Sequence, residues 1–293
     1  MPACSGSRYV TFARRRTLIR RDVQLPDGSP CWALISQIEH ARISALLASQ
    51  CRGRFGSAQS SLIRDEALVA IAAHDDGWAE WEQAPQLDAK HDRPLSFMEL
   101  PVCDATAIWS KSIAVAEEIG PLAAWMVSGH FIRLLEHSEH AQYDPLTRSW
   151  LAEIRPRREA WFARWQAIDP EVRDMAIANE ALQWLWAFDE ASLWFCCSAP
   201  VVGEAPRVGG GFETAGRGTA LEMRFAGVGA SAASHDPRGQ ATVTPWRFDD
   251  GCIDVEVESL IVPAGRYETP RDLLAAGKPL SLRWRLMPPT ALA

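Results

Sequence analysis

Near the C-terminus the sequence alternates strictly. In CIDVEVESL, Ile253, Val255 and Val257 are separated by Asp254, Glu256 and Glu258. In LSLRWRL, Leu280, Leu282, Trp284 and Leu286 are separated by Ser281, Arg283 and Arg285. A period of two is that of a strand with one face buried and one in water. Acids on one strand and arginines on the other are placed to pair across a sheet. Between about residues 36 and 197 the apolar residues instead recur every three or four positions, which is the period of helices packed on a core. This segregation predicts a mainly α chain of the α+β class. Its helical core is followed by a small antiparallel sheet that the chain's two ends build together.

The remaining punctuation fits. TLIRRDV and CWALISQ flank QLPDGSP, whose Pro-Asp-Gly marks the turn of an N-terminal hairpin. Ser36 and Glu39 have capping-box spacing and start a helix to about Gln50. A second helix is expected over 61–75 with Gly77 as its stop, and others over 104–118, 121–137, 146–167 and 171–197. Pro156 predicts a kink or break in the third of these. After Pro200 the character changes, and residues 203–239 hold nine of the 19 glycines. Gly209-Gly210-Gly211 lacks the Gly-Lys-Ser/Thr sequel of a phosphate cradle, so a long excursion carrying one short strand, ALEMRF, is expected. Thr269, Pro270 and Gly277 bracket a short helix, RDLLAA. One domain over residues 17–288 follows, with a helical core at 36–197, a β-rich part at 240–288 and a loose segment at 1–16.

Composition narrows the function. The 293 residues are 47% hydrophobic, enough for a sizeable core. A formal charge of −7 argues against a nucleic-acid backbone as main partner, and Arg14-Arg15-Arg16 with Arg20-Arg21 is a local basic run. Seven cysteines, an odd number without Cys-x-x-Cys spacing, indicate a reducing compartment. No signal-peptide core and no membrane-spanning apolar run occurs, so a cytoplasmic protein away from membranes is expected.

The informative residues are polar ones on apolar helix faces. In AIAAHDDGWAEWE, His74 shares a face with Ala67, Ala70 and Ile71, and Asp75 shares one with Leu68, Ile71 and Ala72. A buried carboxylate needs a partner, and a helix C-terminus is the wrong end for a negative charge. A cation would answer both objections. Three other helices each offer an inward His or Asp: His40 with Ile43 and Leu47, His130 with Met126 and Val127, and Asp189 with Leu182, Leu185 and Trp186. Histidine and carboxylate ligands drawn from several helices are how bundles hold metals.

The order His40, His74-Asp75, Asp189 resembles the HD superfamily, named for its His…His-Asp…Asp ligands on an all-helical core. That resemblance implies an HD-like helical core here. It also implies one or two divalent ions (Fe, Mn or Zn) on His40, His74, Asp75 and Asp189, with His130 added for a second ion. HDDGW is similar to the HD-x-G-K form of that group, with Trp78 where the phosphate-suited lysine would stand. LISQIEHARISALLA, AAHDDGWAEWEQAP, RPLSFMEL, VSGHFIRLL, FDEASLWFCC and TPWRFDDG resemble a prokaryotic family, domain of unknown function 3891, over about residues 17–288.

Asp75 is thus expected to serve the reaction directly, with Asp76 and Glu82 as acid/base candidates. Trp78 and Trp81 are candidate walls of a substrate pocket. His91 in a polar loop and His235 in the glycine-rich region are weaker ligand candidates, and His137 and His140, at a frayed helix end, are expected to face solvent. The expected activity is metal-dependent hydrolysis, with a phosphoester small molecule as substrate. The alternatives are di-iron oxygen chemistry and a non-catalytic, metal-stapled binding module.

Overall fold

The computed structural model describes residues 19–25, 27–51, 60–138, 144–200, 212–213, 221–229 and 238–289. Residues 1–16, the Gly209-Gly210-Gly211 triplet, His140 and His235 lie outside them.

The N-terminal hairpin forms from β1 (Ile19–Gln24) and β2 (Pro30–Ile35). Its turn closes with Gly28 at φ +85°, a region that favours glycine. Helix α1 (Gln37–Ser49) starts at Ser36, whose hydroxyl accepts from the Glu39 amide at 2.9 Å. The reciprocal half of the capping box is absent. Glu39 instead accepts from the amide of Glu258 at 2.8 Å and grips Arg42 at 2.7 Å, tying the helix start to the sheet.

Helix α2 (Arg64–Ala73) ends before His74, and a tight turn leads into α3 (Trp78–Trp81). A two-residue hairpin, β3 (Leu87–Asp88) with β4 (Arg93–Pro94), precedes α4 (Val102–Ile119) and α5 (Pro121–Glu136). Helix α6 (Pro145–Gln166) runs through Pro156 unbroken. Ala152, whose carbonyl loses its helical partner there, is exposed, so water can replace the missing N–H. Helix α7 (Met175–Leu193) continues into a π-helical turn at Trp194–Ser198.

The second half supplies β5 (Phe212–Glu213), β6 (Glu222–Gly229), β7 (Arg238–Thr244), β8 (Ile253–Pro263), α8 (Pro270–Ala275) and β9 (Lys278–Met287). The α+β class holds. The sheet differs from the expected small antiparallel one: among the described residues it has seven strands in the order β1-β2-β8-β9-β7-β6-β5, and β7 runs parallel to β9. The difference arises in the glycine-rich region, where Glu222–Phe225 of that segment begin a strand reaching Gly229 and β7 begins at Arg238.

The two alternating strands pair as their pattern predicts, with Val255 opposite Trp284 and Val257 opposite Leu282 on the buried face. On the outer face Arg285 makes a two-pronged contact to Asp254 at 2.8 and 2.9 Å, and Arg283 reaches Glu256 at 2.9 Å. Strand β2 is apolar on both faces because Ala33 and Ile35 join the main core, while Trp32 and Leu34 pack with Val262 and Leu273 beneath α8. The main core runs without interruption from the sheet into α1, α2, α5, α6 and α7. Trp284 seals the junction, 5.3 Å from the Phe195 ring, with its indole N–H donating to the Pro200 carbonyl at 2.8 Å. Among the described residues no helix is long and apolar enough to cross a membrane.

Candidate metal centre

Four helical segments converge beneath the sheet. Helix α1 brings His40, the turn after α2 brings His74 and Asp75, α5 brings His130, and α7 brings Asp189. All five side chains are inward, with exposures of 1% for His40, 0% for His74, 5% for Asp75, 4% for His130 and 6% for Asp189. The Nε2 atoms of His40 and His74 lie 2.9 and 3.2 Å from the same oxygen, Asp189 Oδ1. Ligand atoms of these three residues all fall within 4.8 Å of one another, so the group could hold a metal ion. Asp75 Oδ2 borders it, 3.6 Å from His74 Nε2 and 3.8 Å from His40 Nε2. His130 Nε2 stands 4.0 Å from Asp189 Oδ1, and its ring meets that of His74 edge-on at 5.4 Å.

The outer nitrogens are held by the chain. His74 Nδ1 lies 2.7 Å from the Ile71 carbonyl, which can only accept, so that nitrogen carries a proton and Nε2 faces the cluster. His40 Nδ1 is 2.6 Å from the Ser192 hydroxyl, which also bonds the Asp189 carbonyl and the Ser44 hydroxyl, each at 2.8 Å. Partners of this kind fix ring orientation in metal sites. Asp75 is steadied by the indole N–H of Trp78, donating to Oδ1 at 3.1 Å. His130 Nδ1 is buried and has no hydrogen-bond partner among the described residues.

Electrostatics follow this packing. Burial alone would raise the Asp189 carboxyl, yet the imidazoles of His130, His40 and His74 hold it well below the usual carboxylate range. Burial likewise opposes protonation of His74, but Asp75 and Asp189 outweigh it and raise that imidazole to about 9. His130 lacks a comparably close acid, and burial pushes it down to about 4.

The glycine of HDDGW has a steric reason. A Cβ on Gly77 would sit 2.4 Å from the Ile108 carbonyl oxygen and the Ser112 nitrogen, so α4 closes on the turn only over a bare backbone. The Gly77 amide donates to the Ser112 hydroxyl at 3.0 Å. Trp78 packs with Ile108 and is 3% exposed, and Trp81 lies against the same small cluster. Glu82 is buried and accepts from the Gln37 amide at 2.5 Å, at the start of α1. Asp76 is half-buried on the turn. His91 is exposed beside Asp88 at 2.5 Å, and His137 is exposed at the end of α5.

Ser44 and Ser192 were not among the residues singled out from sequence. Their signal is spacing: Ser44 is four residues after His40 and Ser192 three after Asp189, on the same inward faces.

A mixed α+β framework with a buried histidine–aspartate group able to hold a metal ion is the class that fold and site define. The family model "Protein of unknown function (DUF3891)" matches residues 27–264, and the chain belongs to that family. No curated protein and no solved structure gives a significant match.

Proposed function

We propose that His40, His74, Asp75 and Asp189 bind a divalent transition-metal ion (iron, manganese or zinc), and that the protein is a metal-dependent hydrolase of HD type whose substrate is a phosphoester small molecule. The observation that carries this reading is the convergence of two Nε2 atoms on one carboxylate oxygen. Their opposite nitrogens are occupied by Ser192 and the Ile71 carbonyl. The donor set fits. Imidazole and carboxylate suit these ions, and two carboxylates offset a divalent charge. His130, with a buried nitrogen unpartnered among the described residues, is the residue for a second ion.

An ion there would supply Lewis acidity that lowers the pKa of water near neutrality and polarises a phosphoryl oxygen. The chain's part is orientation. Trp78 aims Asp75, Ser192 aims His40, and the backbone of α2 aims His74. Asp76 is the acid/base candidate on the less buried side of the turn, whereas Glu82 holds the start of α1.

A second reading, the metal-stapled binding module, draws support from the burial of all five groups, none above 6% exposed. The deciding experiment is elemental analysis of untagged, chelator-free wild type, Asp189→Asn and Asp75→Asn, followed by turnover of p-nitrophenyl phosphate and its bis-ester. Bound metal in the wild type, lost in the variants, together with turnover supports the hydrolase. Metal without turnover leaves the stapled module. Folded wild type that takes up no iron, manganese or zinc sinks both.

A further inference from the structure

On the outer side of the helices lies a groove of about 1000 Å³, bounded by α5, α6 and α7. Its wall is apolar and aromatic, with Trp125, Phe162 and Leu182, while Arg133, Arg155 and Arg158 stand over it. Two of the three arginines are engaged with acids: Arg155 reaches Glu136 at 2.8 Å and Arg133 reaches Glu190 at 3.4 Å. Arg133 also lies 4.1 Å over the Trp186 ring. Arg158 is different. Its guanidinium stacks 3.9 Å over the Trp125 ring, and its Nε donates to the Trp125 carbonyl at 3.1 Å. Neither of its terminal nitrogens makes a hydrogen bond or an ion pair among the described residues. Glu159, the other acid on the groove, is exposed to solvent.

Fixing a half-buried cation with no acid in direct contact is costly, and burial, partly offset by the charge of nearby Glu136, pushes the Arg158 guanidinium down to about 10, leaving it charged at neutral pH. The backbone nonetheless makes room for it. A Cβ on Gly129 would lie 2.8 Å from Arg158 Nη2 and 2.9 Å from both Arg158 Nε and Leu182 Cδ2. Glycine at 129 therefore lets the guanidinium lie against α5. An aromatic stack and a backbone carbonyl hold it flat, with both terminal nitrogens left over. A planar fork presented in this way matches an oxyanion.

We propose that this groove binds an organic oxyanion with a flat ring, a carboxylate or phosphate ester, its charged head on the Arg158 Nη donors and its ring against Phe162 and Leu182. The groove does not depend on the metal centre, although both use α5 and α7: Gly129 precedes His130, and Trp186 lies one turn before Asp189. Occupancy of the groove would brace the two helices that carry those groups.

The test is calorimetric titration of chelator-treated wild type with 1-naphthoate, 1-naphthyl phosphate and the neutral 1-naphthamide. At least one anion is expected to bind at least about ten-fold more tightly than the amide. The better of the two anions names the head group. Arg158→Leu is expected to abolish that preference with its circular dichroism and metal content unchanged. Arg158→Gln, which keeps a polar head, carries the same comparison should the leucine variant not fold. Equal binding of amide and anions overturns the proposal. So does no binding by any probe at about 1 mM, or anion binding within about two-fold of wild type in the variant.

Discussion

The buried cluster and the charged ladder on the sheet are made of the same parts, acids facing bases at hydrogen-bond distance, yet they sit in different solvents. Asp254–Arg285 and Glu256–Arg283 face water on β8 and β9. Water screens those pairs and replaces them cheaply when they break. Asp189 is buried, three imidazoles share one carboxylate oxygen's surroundings, and the outer nitrogens of His40 and His74 find their partners inside the protein. Geometry on the sheet can be loose without consequence. In the cluster a missing partner is felt by every other member.

The largest expected difference between the two regions is on deletion. Asp189→Ala removes the common partner of His40 and His74 and is expected to destabilise the metal-free protein by roughly 3–5 kcal/mol, as when one side of a buried ion pair is lost. Urea unfolding in chelator measures it, and a loss below about 1 kcal/mol would place the cluster with ordinary surface pairs.

His74 and Asp254 should also lose their contributions at opposite ends of the pH scale. His74 is raised in the folded state, so its stabilising contribution is complete below its ordinary value of 6.5 and is lost as pH rises through about 9. Hydrogen bonding from Arg285 lowers Asp254, so its smaller, solvent-screened contribution is present above the ordinary value of 3.8 and disappears as pH falls below it. Thermal melts of metal-free wild type and His74→Gln across pH 6.5 to 9 check the first arm. A parallel pH profile for the two proteins would refute the assignment of that window to His74.

Gly77→Ala comes next, with a predicted loss of roughly 1–3 kcal/mol from the forced separation of the turn and α4. Unchanged stability would mean that α4 yields without resistance. Ser192→Ala frees His40 Nδ1 and is expected to weaken the proposed metal binding about ten-fold, read by competition with a chromophoric chelator. The smallest effect belongs to the ladder. Arg283→Ala should cost about 0.2–1 kcal/mol, less at high salt, and a salt-independent loss above that range would show the sheet's outer face to be more than a solvated surface.

What could be read from the sequence tracks periodicity. Helices α1, α4, α5 and α6 start and stop within about two residues of expectation because their apolar residues keep the helical period, and the start of α1 is marked by its cap at Ser36. His40, His74, His130 and Asp189 were legible for the same reason, as polar interruptions of apolar faces. Face arguments carried less far at Asp75, since Ala72 is exposed and Leu68 only half-buried. Strand partners were not legible where the chain is rich in glycine, because side-chain alternation is what announces a strand. Trp78 illustrates a further limit. Its type suggested a pocket wall, but the structure turns its N–H to Asp75 and its ring to Ile108. Composition says that an indole is present, not which of its two natures will be used.

The position of β9 has a consequence for synthesis. It follows every other described strand along the chain, yet it lies fourth of seven in the sheet, and it alone joins β1-β2-β8 to β7-β6-β5. On the ribosome those two groups of strands must wait as separate pieces with open edges, and Trp284, which locks the sheet onto the π-helical turn after Asp189, arrives with the joining strand. The junction between the sheet and that turn is thus closed only once β9 has left the exit tunnel.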